Sequence, residues 1–269
     1  MKFKLESIKS LFIEMRFNDT LLSSATAFIA TNKAGVAFLI TNRHNVTGKD
    51  QDTGLPLSKH CGIPNKIVIH YHRLDENNQI IELVEKVEML YDDHEMENPL
   101  WFEHPILKDK ADFVALKLTE TVGVTLSTYD VTKTTSYPPN PKIDKYSHEN
   151  LKVGTAEVIS VIGFPFGIRL EKNLAIWATG FIASEPDSNF DDLPIFLIDC
   201  RTRQGQSGSP VIAYRTGGMN TLTDDQVIVM SDPFYRFMGI YSGRINKDSD
   251  LGRVWKATAI KELIESINP

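Results

Sequence analysis

The chain has 269 residues, a formal net charge of -6, and 42% hydrophobic against 24% charged residues. That composition is ordinary for a soluble globular protein, and the length suffices for one large all-β unit or two smaller lobes around a real core. The acidic balance, with no basic run, argues against a nucleic-acid surface, and no stretch approaches the roughly 20 apolar residues needed to span a bilayer.

The amino-terminal ten residues alternate charged and apolar side chains and lack the uninterrupted apolar region of a secretory signal. The two cysteines, Cys61 and Cys200, form no disulfide framework and lie in no metal-like CxxC. Together these readings favour a reducing, cytoplasmic setting. Residues 1–20 mix helix-like and strand-like signals and receive no assignment. Residues 25–30 and 36–41 read as two strands of a hairpin across Asn32-Lys33-Ala34-Gly35. The second runs straight into Asn42-Arg43-His44-Asn45-Val46, which puts a histidine at the end of a buried strand, where the rim of a site can form.

Further strands are expected over residues 66–72 and 79–90, followed by an acidic surface loop at 91–99. His70 and His72 share a strand face but have no evident third ligand, so no metal site is expected. In the next strand, residues 111–118, alternation places Phe113, Ala115 and Lys117 on one face and Asp112, Val114, Leu116 and Leu118 on the other. An aspartate on an apolar face needs a partner, because an unpaired buried carboxylate is costly. Residues 131–150 contain Tyr137-Pro138-Pro139-Asn140-Pro141 within a polar, charged segment and read as a connection between two lobes. Strand-like runs follow at 156–162, 175–181, 195–200, 209–214 and 237–242. The chain closes on an amphipathic helix at 257–267, with Ile260, Leu263, Ile264 and Ile267 at i, i+3, i+4 and i+7. Many short strands with few helices indicate an all-β sandwich or barrel.

The chemistry concentrates in Gly205-Gln206-Ser207-Gly208-Ser209-Pro210. A serine hydroxyl becomes a nucleophile when a base takes its proton and donors stabilise the resulting oxyanion. Gly205 has no Cβ, so its N–H can turn toward the same point as that of Ser207. By itself the segment reads equally as a plain Gly/Ser turn between strands. The order of the other candidates narrows the choice. All seven histidines (His44, His60, His70, His72, His94, His104 and His148) precede Ser207, which excludes the α/β-hydrolase order, and serine at 209 breaks its Gly-x-Ser-x-Gly signature. A subtilisin-like order needs an aspartate before the histidine, and only Asp19 precedes His44, with no supporting motif. What remains is His, then Asp, then Ser.

Three blocks, Thr41-Asn42-Arg43-His44, residues 112–118, and Gly205-Gln206-Ser207-Gly208-Ser209-Pro210, resemble those of the chymotrypsin-like (trypsin-like) serine peptidases. Val161-Ile162-Gly163-Phe164-Pro165-Phe166-Gly167 is similar to the Gly-x-Pro-x-Gly turn of the bacterial Deg-type branch. Gly239-Ile240-Tyr241-Ser242-Gly243 resembles the strand that pairs with substrate backbone. The resemblance covers about residues 20–267, and a Deg-type PDZ module is not expected.

It implies an all-β fold of two six-stranded antiparallel β-barrels of the chymotrypsin type with a C-terminal α-helix. An N-terminal lobe, residues 1–135, would carry His and Asp, and a C-terminal lobe, 136–269, would carry Ser. It further implies a serine endopeptidase acting on polypeptides, with no cofactor and no metal. His44 would be the general base, Asp112 its orienting carboxylate and Ser207 the nucleophile, and the N–H groups of Gly205 and Ser207 the oxyanion hole. Tyr241, Ser242 and Gly243 would hold substrate backbone. The base of the primary pocket falls at Arg201, beside Thr202, where a cation would select an acidic side chain; Arg201 could equally turn outward toward Asp191-Asp192. Gln206 stands where zymogen-type relatives carry the aspartate that pairs with a freed amino terminus, so activation of that kind is not expected. Neither nucleic acid nor membrane is an expected partner. Peptidases of this type often depend on a regulatory protein, but the sequence names none. A catalytically silent binding protein and an esterase using the same site remain open.

Overall fold

The computed structural model describes residues 3–58, 62–131, 134–136, 151–246 and 248–267. Most of the expected inter-lobe connection, residues 137–150, lies outside them, as do His60, Cys61 and His148. The N-terminal sheet contains β1 (Ser10–Phe17), β2 (Thr20–Thr31), β3 (Ala37–Thr41), β4 (Lys66–Leu74), β5 (Ile80–Met89), β6 (Trp101–Phe102), β7 (Val114–Lys117) and β8 (Thr128–Tyr129). Their order is β5-β4-β1-β2-β3-β7-β6, with β8 parallel to β2. The ends of this sheet meet where Leu100 N–H donates to Leu90 O at 2.9 Å.

The C-terminal strands are β9 (Thr134–Ser136), β10 (Val158–Gly163), β11 (Ile176–Ile182), β12 (Ile195–Asp199), β13 (Pro210–Arg215), β14 (Gly218–Thr221), β15 (Val227–Met230), β16 (Phe234–Arg244) and β17 (Leu251–Lys256). Six of them run β13-β10-β11-β12-β17-β16 and close into a barrel through β13–β16 pairing. β9 lies on β16, so the chain has already joined the second sheet by Thr134. The hairpin β14–β15 stands apart. It, like β1 and β17, was not anticipated from the local pattern.

Alternation along the strands explains why two barrels behave as one body. In β2, Ala27 and Ile29 fill the first barrel while Phe28 and Ala30 enter a second cluster; in β3, Leu39 and the pair Phe38 and Ile40 divide in the same way. The second barrel repeats this, with Val161, Val211, Met238 and Val254 inside, and Ile162, Ile212, Phe237 and Trp255 facing out of it. The outward sets of both barrels make one inter-lobe core. Strands buried on both faces lose the apolar-polar alternation of a solvated sheet, as their apolar runs required.

α1 (Glu6–Lys9) and α2 (Arg43–Thr47) are short, and α3 (Ala257–Ser266) is the expected closing helix. Ile260, Leu263 and Ile264 are buried in the inter-lobe core. Ahead of β1, Ser7 O accepts from Ala175 N–H at 3.0 Å, and its hydroxyl accepts from Trp177 Nε1 at 2.9 Å. The amino-terminal segment is thereby tied to the C-terminal lobe. Among the described residues no helix is long and apolar enough to cross a membrane.

Candidate active site

His44 lies in the first turn of α2, immediately after β3, and Asp112 just before β7, the neighbour of β3 in the sheet. Sheet pairing therefore brings two residues far apart in sequence to the same end of adjacent strands. Asp112 is 4% exposed, and its partner is His44: Nδ1 stands 2.8 Å from Oδ2 and 3.0 Å from Oδ1, and the His44 backbone N–H donates to Oδ1 at 3.1 Å. Asn42 Nδ2 donates to the Asp112 carbonyl at 2.6 Å and fixes the same segment from below. A carboxylate only accepts, so Nδ1 carries the ring proton and Nε2 is left as the basic nitrogen. Burial disfavours the charged ring, but the Asp112 charge and hydrogen bond outweigh it, with a smaller contribution from Asp50; the His44 pKa is raised above the ordinary 6.5.

Ser207 is half-buried on the turn between β12 and β13. It shares a cavity of about 210 Å³ with His44, Gln204 and Leu57. His44 and Asp112 also line a larger cleft of about 790 Å³ with Ser242, Gly243 and Arg253. His44 is thus common to the cavity that holds Ser207 and the cleft that holds Asp112. Among the described residues no hydrogen bond joins the His44 ring to the Ser207 hydroxyl; in unliganded enzymes this contact is commonly long and tightens on substrate binding.

Each backbone carbonyl from Gln204 to Ser207 has a donor. Gln204 O accepts from Phe166 N–H at 2.6 Å and Gly205 O from Thr26 Oγ1 at 2.9 Å. Gln206 O accepts from Ser209 N–H and Ser207 O from Thr26 N–H, both at 3.0 Å. In a trans peptide the N–H points opposite to the C=O. Anchoring Gln204 O and Gln206 O therefore turns the N–H groups of Gly205 and Ser207 the other way, and among the described residues neither has an acceptor. The intervening Gln206 N–H is used, donating to Arg203 O at 3.1 Å. Gly205 has φ +93°, and a Cβ there would sit 2.4 Å from Phe164 O. The Gly163–Gly167 turn lies directly against the loop, so a side chain at 205 would collide with it.

The substrate-binding expectations divide. Tyr241 is buried, with its hydroxyl 2.5 Å from Thr202 Oγ1; burial raises its pKa to about 12. Ser242 and Gly243 line the larger cleft. Arg201 is exposed and lines neither cavity. Its neighbour Arg203 stands 3.7 Å from Asp250. Of the paired histidines, His72 Nε2 is 2.9 Å from Lys172 O. His70 lies 3.5 Å from both Glu14 and Glu85.

Residue-by-residue reading missed Thr26, Asn42, Asp52 and Arg253. Asn42 sits within the histidine block and Thr26 is a polar residue inside an apolar strand, which is a signal of a kind. Asp52 and Arg253 carry none, because their pairing spans 201 residues.

No curated protein matches this sequence. Among solved structures, the chain is similar to a serine endoprotease from Yersinia pestis at 10% identity, covering 97% of this chain and 62% of that one, with a TM-score of 0.46. The active form of the Rv3671c protease from M. tuberculosis is similar at 14% identity, with 98% and 82% of the two chains covered and a TM-score of 0.45. A thermostable serine protease, AL20, from an extremophilic microorganism is similar at 10% identity, with 98% of each chain covered and a TM-score of 0.49. The chain thus spans less than two thirds of the Yersinia protein's length. The trypsin-like peptidase domain family model matches residues 25–219, which contain His44, Asp112 and Ser207 alike. With that match over most of its length, the chain belongs to the trypsin-like peptidase family.

Proposed function

We propose that this protein is a serine endopeptidase that cleaves polypeptides through an acyl-enzyme. The observation that carries the reading is the position of His44, whose Nδ1 is held 2.8 Å from Asp112 Oδ2 while the same residue lines the cavity of Ser207. His44 Nε2 takes the Ser207 proton as Oγ attacks the scissile carbonyl, and the resulting imidazolium is stabilised by Asp112. The imidazolium then gives its proton to the leaving amine; water, deprotonated in turn by His44, attacks the acyl carbon, and the imidazolium returns that proton to Ser207 Oγ as the acid product leaves. The N–H groups of Gly205 and Ser207, without an acceptor among the described residues, donate to the carbonyl oxygen as charge develops on it, each such donor being worth roughly 2.7–4 kcal/mol.

Ser242 and Gly243 are the proposed substrate-backbone contacts, with Tyr241 as their buried support. An acidic preference rests on the charge of Arg201 alone. Cleavage of a peptide library after Glu or Asp, lost in Arg201→Ala, supports it; cleavage after Arg, Lys or large apolar residues rules it out. A cytoplasmic setting rests on cysteine usage, with Cys200 a buried free thiol. Cell fractionation checks it.

A fluorophosphonate probe tests the function itself. The expected result is labelling of the wild type and none of Ser207→Ala, together with hydrolysis of peptide substrates. Absence of labelling under all conditions favours a silent binding protein, and labelling with ester but no peptide hydrolysis favours an esterase.

A further inference from the structure

Thr26 belongs to β2 of the N-terminal lobe, yet it makes three hydrogen bonds to the C-terminal lobe, two at the proposed catalytic loop and one at the Gly163–Gly167 turn packed against it. Its N–H donates to Ser207 O at 3.0 Å. Its hydroxyl donates to Gly205 O at 2.9 Å and accepts from Phe164 N–H at 3.2 Å. The residue is 0% exposed, so these bonds have no water to compete with and none to replace them. Its remaining backbone acceptor is used as well: Thr26 O accepts from Thr41 Oγ1 at 2.9 Å, and Thr41 Oγ1 in turn accepts from Asn45 Nδ2 at 3.0 Å. Asn45 is the residue after His44, on α2. A continuous buried chain of hydrogen bonds therefore runs from the helix that carries the base to the loop that carries the nucleophile.

We infer that Thr26 is a positioning residue: its hydroxyl sets the orientation of the Gly205–Gln206 peptide and so holds the oxyanion loop in its competent form. The reason is geometric. Anchoring Gly205 O to Thr26 turns the Gln206 N–H, in the same peptide, toward Arg203 O. With that peptide fixed, and Gln204 O fixed by Phe166 N–H, Gly205 has no freedom to rotate its own N–H out of the site. The Phe164 N–H bond completes the brace, because the turn that holds Phe166 in place hangs from the same hydroxyl. A buried donor and a buried acceptor share one oxygen, so removing that oxygen leaves both unpaired, and the loop gains by moving to satisfy them elsewhere.

This inference rests on the peptidase reading, and the test separates the two. Thr26→Val keeps the shape and removes the hydroxyl; Thr26→Ser keeps the hydroxyl; Thr26→Ala removes it without added bulk. The expected result is a fall in kcat of about 10²-fold or more in Thr26→Val and Thr26→Ala, comparable to losing an oxyanion donor. KM should change little, and Thr26→Ser should remain within about threefold of wild type. Amide exchange supplies a readout that needs no activity: the Phe164 and Gln206 amides should exchange about tenfold faster in the Val and Ala variants and return to wild-type rates in Ser. Unchanged exchange, a Ser variant that behaves like Val, or a loss confined to KM overturns the inference. So does failure of both Val and Ala variants to fold, which would make Thr26 scaffold alone. If Ser207→Ala retained turnover, the peptidase reading would fall, and the exchange rates would still decide the role of Thr26.

Discussion

Arg253 on β17 and Asp52 on the loop after α2 form a two-point ion pair, Nη1 to Oδ1 at 3.1 Å and Nη2 to Oδ2 at 2.8 Å. The pair joins the two lobes along the wall of the cleft that contains His44 and Asp112. Asp52 is largely exposed, its side chain at 60%, so the pair adds little to folding, under about 1 kcal/mol. Asp52→Ala is expected to leave the thermal midpoint nearly unchanged while altering KM for peptides that occupy the cleft. Differential scanning calorimetry and steady-state kinetics on the same preparation check both.

The pH dependence follows from the charges around His44. Burial opposes the imidazolium, the Asp112 charge and hydrogen bond favour it more strongly, and Arg253 opposes it. The neutral ring is the working base, so a raised pKa places the acid limb of kcat/KM above the ordinary histidine value of 6.5. Arg253→Gln removes a cation and should move that limb to higher pH. Asp112→Asn removes the anion, should move it to lower pH, and should reduce kcat by about 10⁴-fold, the known size of this change in the serine-protease triad. Shifts in the same direction for both variants would contradict this account.

Gly205→Ala is expected to reduce kcat by about 10²-fold or more, since it must move one oxyanion donor. Gly208 is more constrained still: at φ +86°, a Cβ would lie 2.0 Å from Thr26 O and 2.7 Å from Thr41 Oγ1. Gly208→Ala should therefore lower stability as well as activity. Chemical denaturation distinguishes the two variants.

Cys200 is buried, and burial together with Asp199 and Asp250 pushes its thiol up to about 11. In a Cys61→Ser background, iodoacetamide at neutral pH should leave the native protein unmodified and label it once unfolded. Mass spectrometry reads the outcome.

α3 seals the inter-lobe core through Leu263, which is 0% exposed. Leu263→Ala should cost about 2–5 kcal/mol of stability, measured by urea titration. The His44 acid limb should stay where it is, because Leu263 lies in the inter-lobe core and lines neither cavity that His44 borders.

Features written in contiguous residues were legible before any fold was known. The period of residues 257–267 specified a docked helix, the alternation of 111–118 sorted its side chains onto two faces and put Asp112 on an apolar one, and the order of His44, Asp112 and Ser207 narrowed the chemistry. Each is a local pattern, legible without knowing where the chain goes next. The hairpin β14–β15 and strand β17 escaped because their segments are polar or interrupted and become strands only by pairing with neighbours. The meeting of Asp112 with His44, the exposure of Arg201 and the hydrogen bond from Thr26 to a loop 179 residues away come from the packing of distant segments. Hydrogen bonds and ion pairs across such separations depend on how two barrels pack, and no local periodicity records that.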